Sequence, residues 1–184
     1  MEIHKFSSSD EYFKAQKNLT EKKFDRVWVK DESLDFLVSE LKDIYGVNGI
    51  CHGVRNGYEV EYLRKNLKGE IFGTELVLLR KIPNVIEWDF HCLNTKWANK
   101  MDFVYSNSLD HSYTPSDCVD NWMKCLNLGG RCFIEWSPQH NSKCTIGDCF
   151  RASAEEYEHL FGMNYKVKKV PIGERIMFIL QRGK

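Results

Sequence analysis

A chain of 184 residues, 42% hydrophobic and 28% charged, has the composition of one folded domain, not of a disordered or fibrous chain. Its 26 basic and 26 acidic residues cancel, which argues against a protein whose main task is to coat nucleic acid or an anionic membrane. Seven cysteines without a repeated C-x-x-C pair fit reduced, buried thiols, and with no membrane-length apolar run and no signal-peptide core at Met1–Lys5 a soluble cytoplasmic protein is expected.

In chain order, Ser9 or Asp10 caps a helix reaching about Thr20. Residues 24–30 read as a connector or short extended piece that packs Trp28 on the body. Asp31 caps an amphipathic helix whose stripe is Leu34, Leu37, Val38, Leu41 and Ile44, and Gly46 stops it. These first 45 residues read as packing and cover. Next comes the stretch on which the chain is organised. A strand ends near Cys51, a turn carries Gly53 and Gly57, and a helix places Val60, Leu63 and Leu67 on one face. The free amides of such a helix start can hold a negative or polar group.

A strand at Glu70–Thr74 ends at Glu75, one helical turn is expected at Leu76–Arg80, and a strand at Val85–Trp88 ends at Asp89. The strand Met101–Ser106 delivers Asn107, Ser108, Asp110 and His111. Pro115 opens a helix that Gly129-Gly130 ends, and Arg131–Trp136 is the next strand. Residues 139–151 have no period. Ser153 and Glu156 make a capping box for a helix to about Phe161. Tyr165–Val170 and Arg175–Gln181 close the chain as a hairpin.

Alternating strands and helices imply a doubly wound, mostly parallel α/β sheet, whose ligands bind beyond the carboxyl ends of the strands. Successive strand ends here deliver the Gly53/Gly57 turn, Glu75, Asp89 and Asn107. A carboxylate after the second strand is placed to accept both hydroxyls of a ribose. One after the third is placed to accept an adenine amino group, with Phe90 as its apolar neighbour.

This order of elements resembles the class I S-adenosylmethionine-dependent methyltransferases. The closing hairpin, together with the missing GxGxxG, separates it from nicotinamide-binding domains. The resemblance implies a Rossmann-like methyltransferase fold with seven strands in the order 3-2-1-4-5-7-6 and a C-terminal antiparallel hairpin. A single domain over 1–184 is expected, with 1–30 as an extension and 31–184 as the core. The resemblance further implies S-adenosylmethionine as cofactor, held by Cys51, His52, Gly53, Arg55, Asn56, Gly57, Glu75, Leu76, Asp89, Phe90, Ser106, Asn107 and Ser108. Two residues depart from the family's first motif: Cys51 replaces an acid and Arg55 a glycine. A non-catalytic domain of this fold, regulatory or partner-binding, is therefore the alternative to methyl transfer.

Asp110 and His111 are the candidate catalytic bases, since a histidine can take a proton near neutral pH. His140 reads as an exposed loop residue. His140, Cys144 and Cys149 are too few and too widely spaced for a zinc site, so no metal is expected. Residues 139–151 read as acceptor cover, with Lys143 and Arg151 facing an anionic group. Neutral charge and the lack of an added recognition domain point to a small-molecule or glycan acceptor, with no nucleic-acid or membrane partner.

Overall fold

A strand covered by helices on both faces must carry apolar side chains on both of its alternating sides. The computed structural model, which describes residues 1–182, shows this along the central strands. Its elements are β1 (Glu2–Ile3), α1 (Ser9–Lys23), α2 (Asp31–Leu41), β2 (Val47–His52), α3 (Tyr58–Asn66), β3 (Gly69–Glu75) and β4 (Val85–Glu87). They continue with β5 (Met101–Ser106), α4 (Pro115–Cys125), β6 (Leu126–Trp136), β7 (Phe150–Arg151), α5 (Ala154–Gly162), β8 (Tyr165–Ile172) and β9 (Arg175–Arg182). Single 3₁₀ turns lie at Thr95–Trp97, Leu109–His111 and Pro138–Asn141.

Seven strands form one sheet in the order β4-β3-β2-β5-β6-β9-β8. Counted along the chain without β1 and β7, this is the expected 3-2-1-4-5-7-6. The pairings are parallel from β4 through β6, and β9 is antiparallel to both β6 and β8. The chain runs outward from β2 to β4 and then returns to β5 on the other side of β2. The crevice at that reversal is where a doubly wound sheet takes its ligand.

Two buried clusters sandwich the sheet. One holds Ile50, Val104 and Ile134 against Trp122 of α4 and Leu160 of α5. The other holds Cys51, Phe103, Tyr105 and Phe133 against Leu34, Leu37 and Leu41 of α2 and Val60 and Leu63 of α3. Neighbours in sequence thus fall into opposite clusters, which is the period of two that a twice-covered strand demands.

Several boundaries differ from the sequence reading. Ser8, not Ser9 or Asp10, caps α1, and the helix runs on to Lys23. Asp31 begins α2 but gives no side-chain cap, and Ile44 lies beyond its end. Residues 76–80 form no helical turn. Gly129 and Gly130 lie within β6, which starts directly after α4. Residues 139–151 are less irregular than expected, because Phe150–Arg151 pairs antiparallel with Glu2–Ile3. The capping box of Ser153 and Glu156 forms as expected.

Gly49 shows how tightly β2 and β5 fit. A Cβ built there would lie 1.9 Å from the Phe103 ring, which is fully buried. Gly49→Ala is expected to cost about 1–3 kcal/mol of stability or more, read as a lowered denaturation midpoint.

Candidate functional site

The turn between β2 and α3 is built by backbone that bends left-handed three times, at Gly53 (φ 72°), Arg55 (φ 43°) and Gly57 (φ 82°). A side chain at Gly53 would collide with Ser108, 2.7 Å away, so glycine is required there. Serines fasten this turn to the end of β5. Ser106 Oγ donates to the His52 carbonyl at 3.0 Å and accepts from Ser108 N at 3.1 Å. Ser108 Oγ donates to the Gly53 carbonyl at 3.1 Å.

Glu75, at the end of β3, reaches across to the turn. Its Oε2 accepts from Arg55 N at 2.5 Å and its Oε1 from Leu76 N at 3.1 Å. Burial pushes its pKa up, opposed by these amides and by the Arg55 charge. Gly53, Arg55, Glu75, Leu76, Phe90, Ser108 and His111 line one hollow at this place. The hollow measures about 30 Å³, because Tyr12, Gln16, Leu19 and Thr20 of α1 close it. The first helix is thus a cover laid on the site, fixed by Tyr12 Oη on the His111 carbonyl at 3.2 Å.

Asp89 turns away from that hollow. Its Oδ1 accepts from His91 N at 2.9 Å and lies 2.7 Å from His91 Nδ1. Burial would raise its pKa, but these His91 contacts hold it below the usual carboxylate value. Three expected cofactor residues also lie back from the open space. Cys51 is fully buried in the core under α3. His52 stacks on Trp122 at 5.1 Å and lies 2.7 Å from Thr74 Oγ1, and burial pushes its pKa down to about 3, which keeps it neutral. Gly57 sits against Ile82 and Val85.

A larger cavity of about 550 Å³ opens beside the first and shares Gly53, Arg55, Ser108 and His111 with it. Asn56, Glu59, Asn107, Asp110, Ser137, His140 and Asp148 also line it, with Lys23, Arg26 and Lys30 from the end of α1 and the connector after it. Trp28 lines the same cavity and stays half-exposed instead of packing on the body. Lys143 and Arg151 do not line it. Arg151 pairs with Glu2 at 3.5 Å, and the cations that line the cavity are Lys23, Arg26 and Lys30 of the N-terminal segment together with Arg55 and Arg175.

Glu59, in the first turn of α3, is 6% exposed, and its Oε2 has no hydrogen-bond partner among the described residues although Glu59 borders this cavity. Burial pushes its pKa up to about 7. The same cavity is lined by a cluster around Asp110. His111 Nε2 is 3.9 Å from Asp110 Oδ1, and His140 Nε2 is 3.9 Å from Asp110 Oδ2. His111 Nδ1 is 2.9 Å from the Gly147 carbonyl and 3.6 Å from Asp148 Oδ1. The His140 side chain is only 9% exposed, contrary to the exposed loop residue the sequence suggested.

No protein-family model matches the chain. No curated protein matches its sequence. Solved structures do match. A chain from the complex of the Haloferax volcanii Trm112 methyltransferase activator with a methyltransferase is 14% identical, with a TM-score of 0.71 over 97% of this chain and 100% of that one. The 1,6-didemethyltoxoflavin-N1-methyltransferase of Burkholderia thailandensis, solved with S-adenosylhomocysteine bound, is 11% identical, with a TM-score of 0.72 over 98% of this chain and 93% of that one. The magnesium protoporphyrin IX methyltransferase of Synechocystis, solved with bound SAM, is 11% identical, with a TM-score of 0.65 over 96% and 100%. The fold is that of the class I methyltransferases.

Within this methyltransferase fold the sequence reading found Gly53, Glu75 and the Asn107–His111 run where they meet. It missed Glu59, Asp148 and the α1 residues. Glu59 carries one signal, a carboxylate one residue before the apolar Val60 on a helix whose other face is charged. Tyr12 carries none.

The Glu59 proton gives a stability test. Unfolded, this carboxyl titrates near 4.5; folded, near 7. Between those values the folded state holds a proton that the unfolded state has released, so stability falls as pH rises through the window. From pH 5 to pH 8, Glu59→Gln is expected to gain about 2.5 kcal/mol on the wild type in urea denaturation.

Proposed function

We propose that this protein transfers a methyl group from S-adenosylmethionine to a small acceptor, with the acceptor in the 550 Å³ cavity. The observation that carries the reading is the pair of carboxylates, half-buried Glu75 and buried Glu59, that border the hollows at the glycine turn, with the Asp110 cluster lining the larger one. The donor set fits the cofactor. Glu75 is placed for the ribose hydroxyls, with Phe90 beside it for the base. Glu59 has an unused oxygen for the cofactor's amino group, the task the resemblance gives to an acid at the position of Cys51. Arg55 lines both hollows and is available to the cofactor carboxylate.

When bound, S-adenosylmethionine supplies a methyl group on a sulfonium sulfur, ready for in-line attack. The chain's own contribution is placement and proton removal. Lys23, Arg26 and Lys30 attract an anionic acceptor to the cavity mouth, and a cavity of this size suits a small molecule or a single sugar unit. The imidazoles beside Asp110, His111 and His140, each 3.9 Å from its carboxylate, are the groups available to receive the acceptor's proton. The helix α1 has to lift off Glu75 and Phe90 before a nucleoside enters, since the 30 Å³ hollow is far below the size of a small-molecule site.

That closure favours a second reading, a domain of this fold that binds no cofactor and serves a partner instead. Calorimetric titration with S-adenosylhomocysteine separates the two. Micromolar affinity, weakened at least about tenfold in a folded Glu75→Ala variant, is expected for the methyltransferase. Absence of binding at millimolar ligand selects the partner-binding domain.

A further inference from the structure

The wall of the large cavity gathers three metal-ligating side chains from two different loops. Ligand atoms of Asp110, His111 and Asp148 all lie within 4.8 Å of one another. We propose that these three residues bind one divalent transition-metal ion, of the manganese or zinc kind, whose free coordination positions face the acceptor. Its use in catalysis rests on the methyl-transfer reading; binding of the ion does not.

Four observations carry the site. The first is tautomer control. His111 Nδ1 lies 2.9 Å from the Gly147 carbonyl and 3.6 Å from Asp148 Oδ1, so it bears the proton, and the Nε2 lone pair is left free on the side of Asp110, toward which the Asp148 carboxylate has to swing. This is the second-shell arrangement that orients a ligating histidine. The second is an orphaned charge. Asp110 Oδ1 is shielded from solvent and has no hydrogen-bond partner among the described residues, a costly state that a cation relieves. The third is a preformed ligand loop. Thr145 Oγ1 accepts from Gly147 N at 3.2 Å and from Asp148 N at 2.9 Å, and Thr145 N donates back to the Asp148 carbonyl at 2.9 Å. That turn holds Asp148 in place, while Gln16 Nε2 donates to the Gly147 carbonyl at 2.8 Å from α1.

The fourth is the chemistry of the set. Two carboxylates balance a divalent charge, and one imidazole favours a transition ion over magnesium. Metal–ligand bonds of about 2.0–2.2 Å need the donor atoms roughly 1–2 Å closer together than they stand, a movement that rotation of the half-exposed Asp148 side chain can supply. Cys144 and Cys149 take no part. Cys144 donates to the Cys149 carbonyl at 3.3 Å, and Cys149 is buried.

The site fits a hydroxyl acceptor. An acceptor oxygen on the ion becomes more acidic. Its proton passes to His140 Nε2, which lies 3.9 Å from Asp110 Oδ2. The resulting alkoxide forms the new O–CH₃ bond while the C–S bond breaks, and its electron pair stays on sulfur as a neutral thioether.

Chelator-stripped protein is titrated calorimetrically with Mn²⁺ and with Zn²⁺, and with Co²⁺ while its visible absorption is followed. One equivalent is expected to bind, with a Co²⁺ spectrum of nitrogen and oxygen ligation. Asp110→Asn and Asp148→Asn are each expected to weaken binding at least about tenfold with unchanged circular dichroism. Absence of stoichiometric binding, or wild-type affinity in both variants, overturns the proposal. S-adenosylhomocysteine is titrated alongside. Ion binding without nucleoside binding upholds the metal site and removes the methyl-transfer reading instead.

Discussion

The structure depends on one seam, the place where β2 and β5 run side by side at the reversal of the sheet. Their ends are locked by hydrogen bonds from Ser106 to the His52 carbonyl and from Ser108 to the Gly53 carbonyl. Farther back, Gly49 lets the two strands close on Phe103. With the seam fixed, the glycine turn leaves β2 in one direction and the Asn107–His111 run leaves β5 in the other. The space between them is the candidate site. Ser106 therefore acts at one remove, holding in place the loop that borders the cavity, and its own side chain is fully buried.

Charge placement in this site departs from the pattern the resemblance implies. The acid expected at the end of β2 is absent, and Cys51 fills its place inside the core. A buried acid stands instead on the first turn of α3, at Glu59, next to that thiol; the Glu59 charge helps push the Cys51 pKa up, after burial itself. Moving a carboxylate from strand to helix keeps a negative group near the glycine turn, and Arg55 is close enough to lower the cost of its ionisation. The two departures at Cys51 and Arg55 thus both lie within electrostatic reach of the Glu59 carboxyl. In the same cavity, Asp110 stands between two histidines that come from different loops.

The sheet was legible because period-two and period-3.6 patterns are local. Val104 and Phe103, or Ile50 and Cys51, announce opposite faces from sequence alone. The capping box at Ser153 is equally local. Contacts between distant segments were not legible. Tyr12 reaches His111, Glu2–Ile3 pairs with Phe150–Arg151, and His140 folds under its own loop toward Asp110. No spacing rule reports such meetings. Asp89 was found at the right strand end, yet its partner two residues on, His91, decides where it points. Gly129-Gly130 reads as a helix stop, but Leu126 had already begun a strand paired with Met101.

The account's central claim is that the seam, the glycine turn and the two glutamates form a cofactor site over which α1 is a movable cover. Diffraction from crystals grown with S-adenosylhomocysteine tests it most directly. The account predicts density for the nucleoside with its ribose on Glu75 and its amino group on Glu59, and α1 displaced from the position that now gives a hollow of about 30 Å³. Tyr12 and Gln16 unmoved over Glu75, with the ligand absent or bound elsewhere, would contradict it.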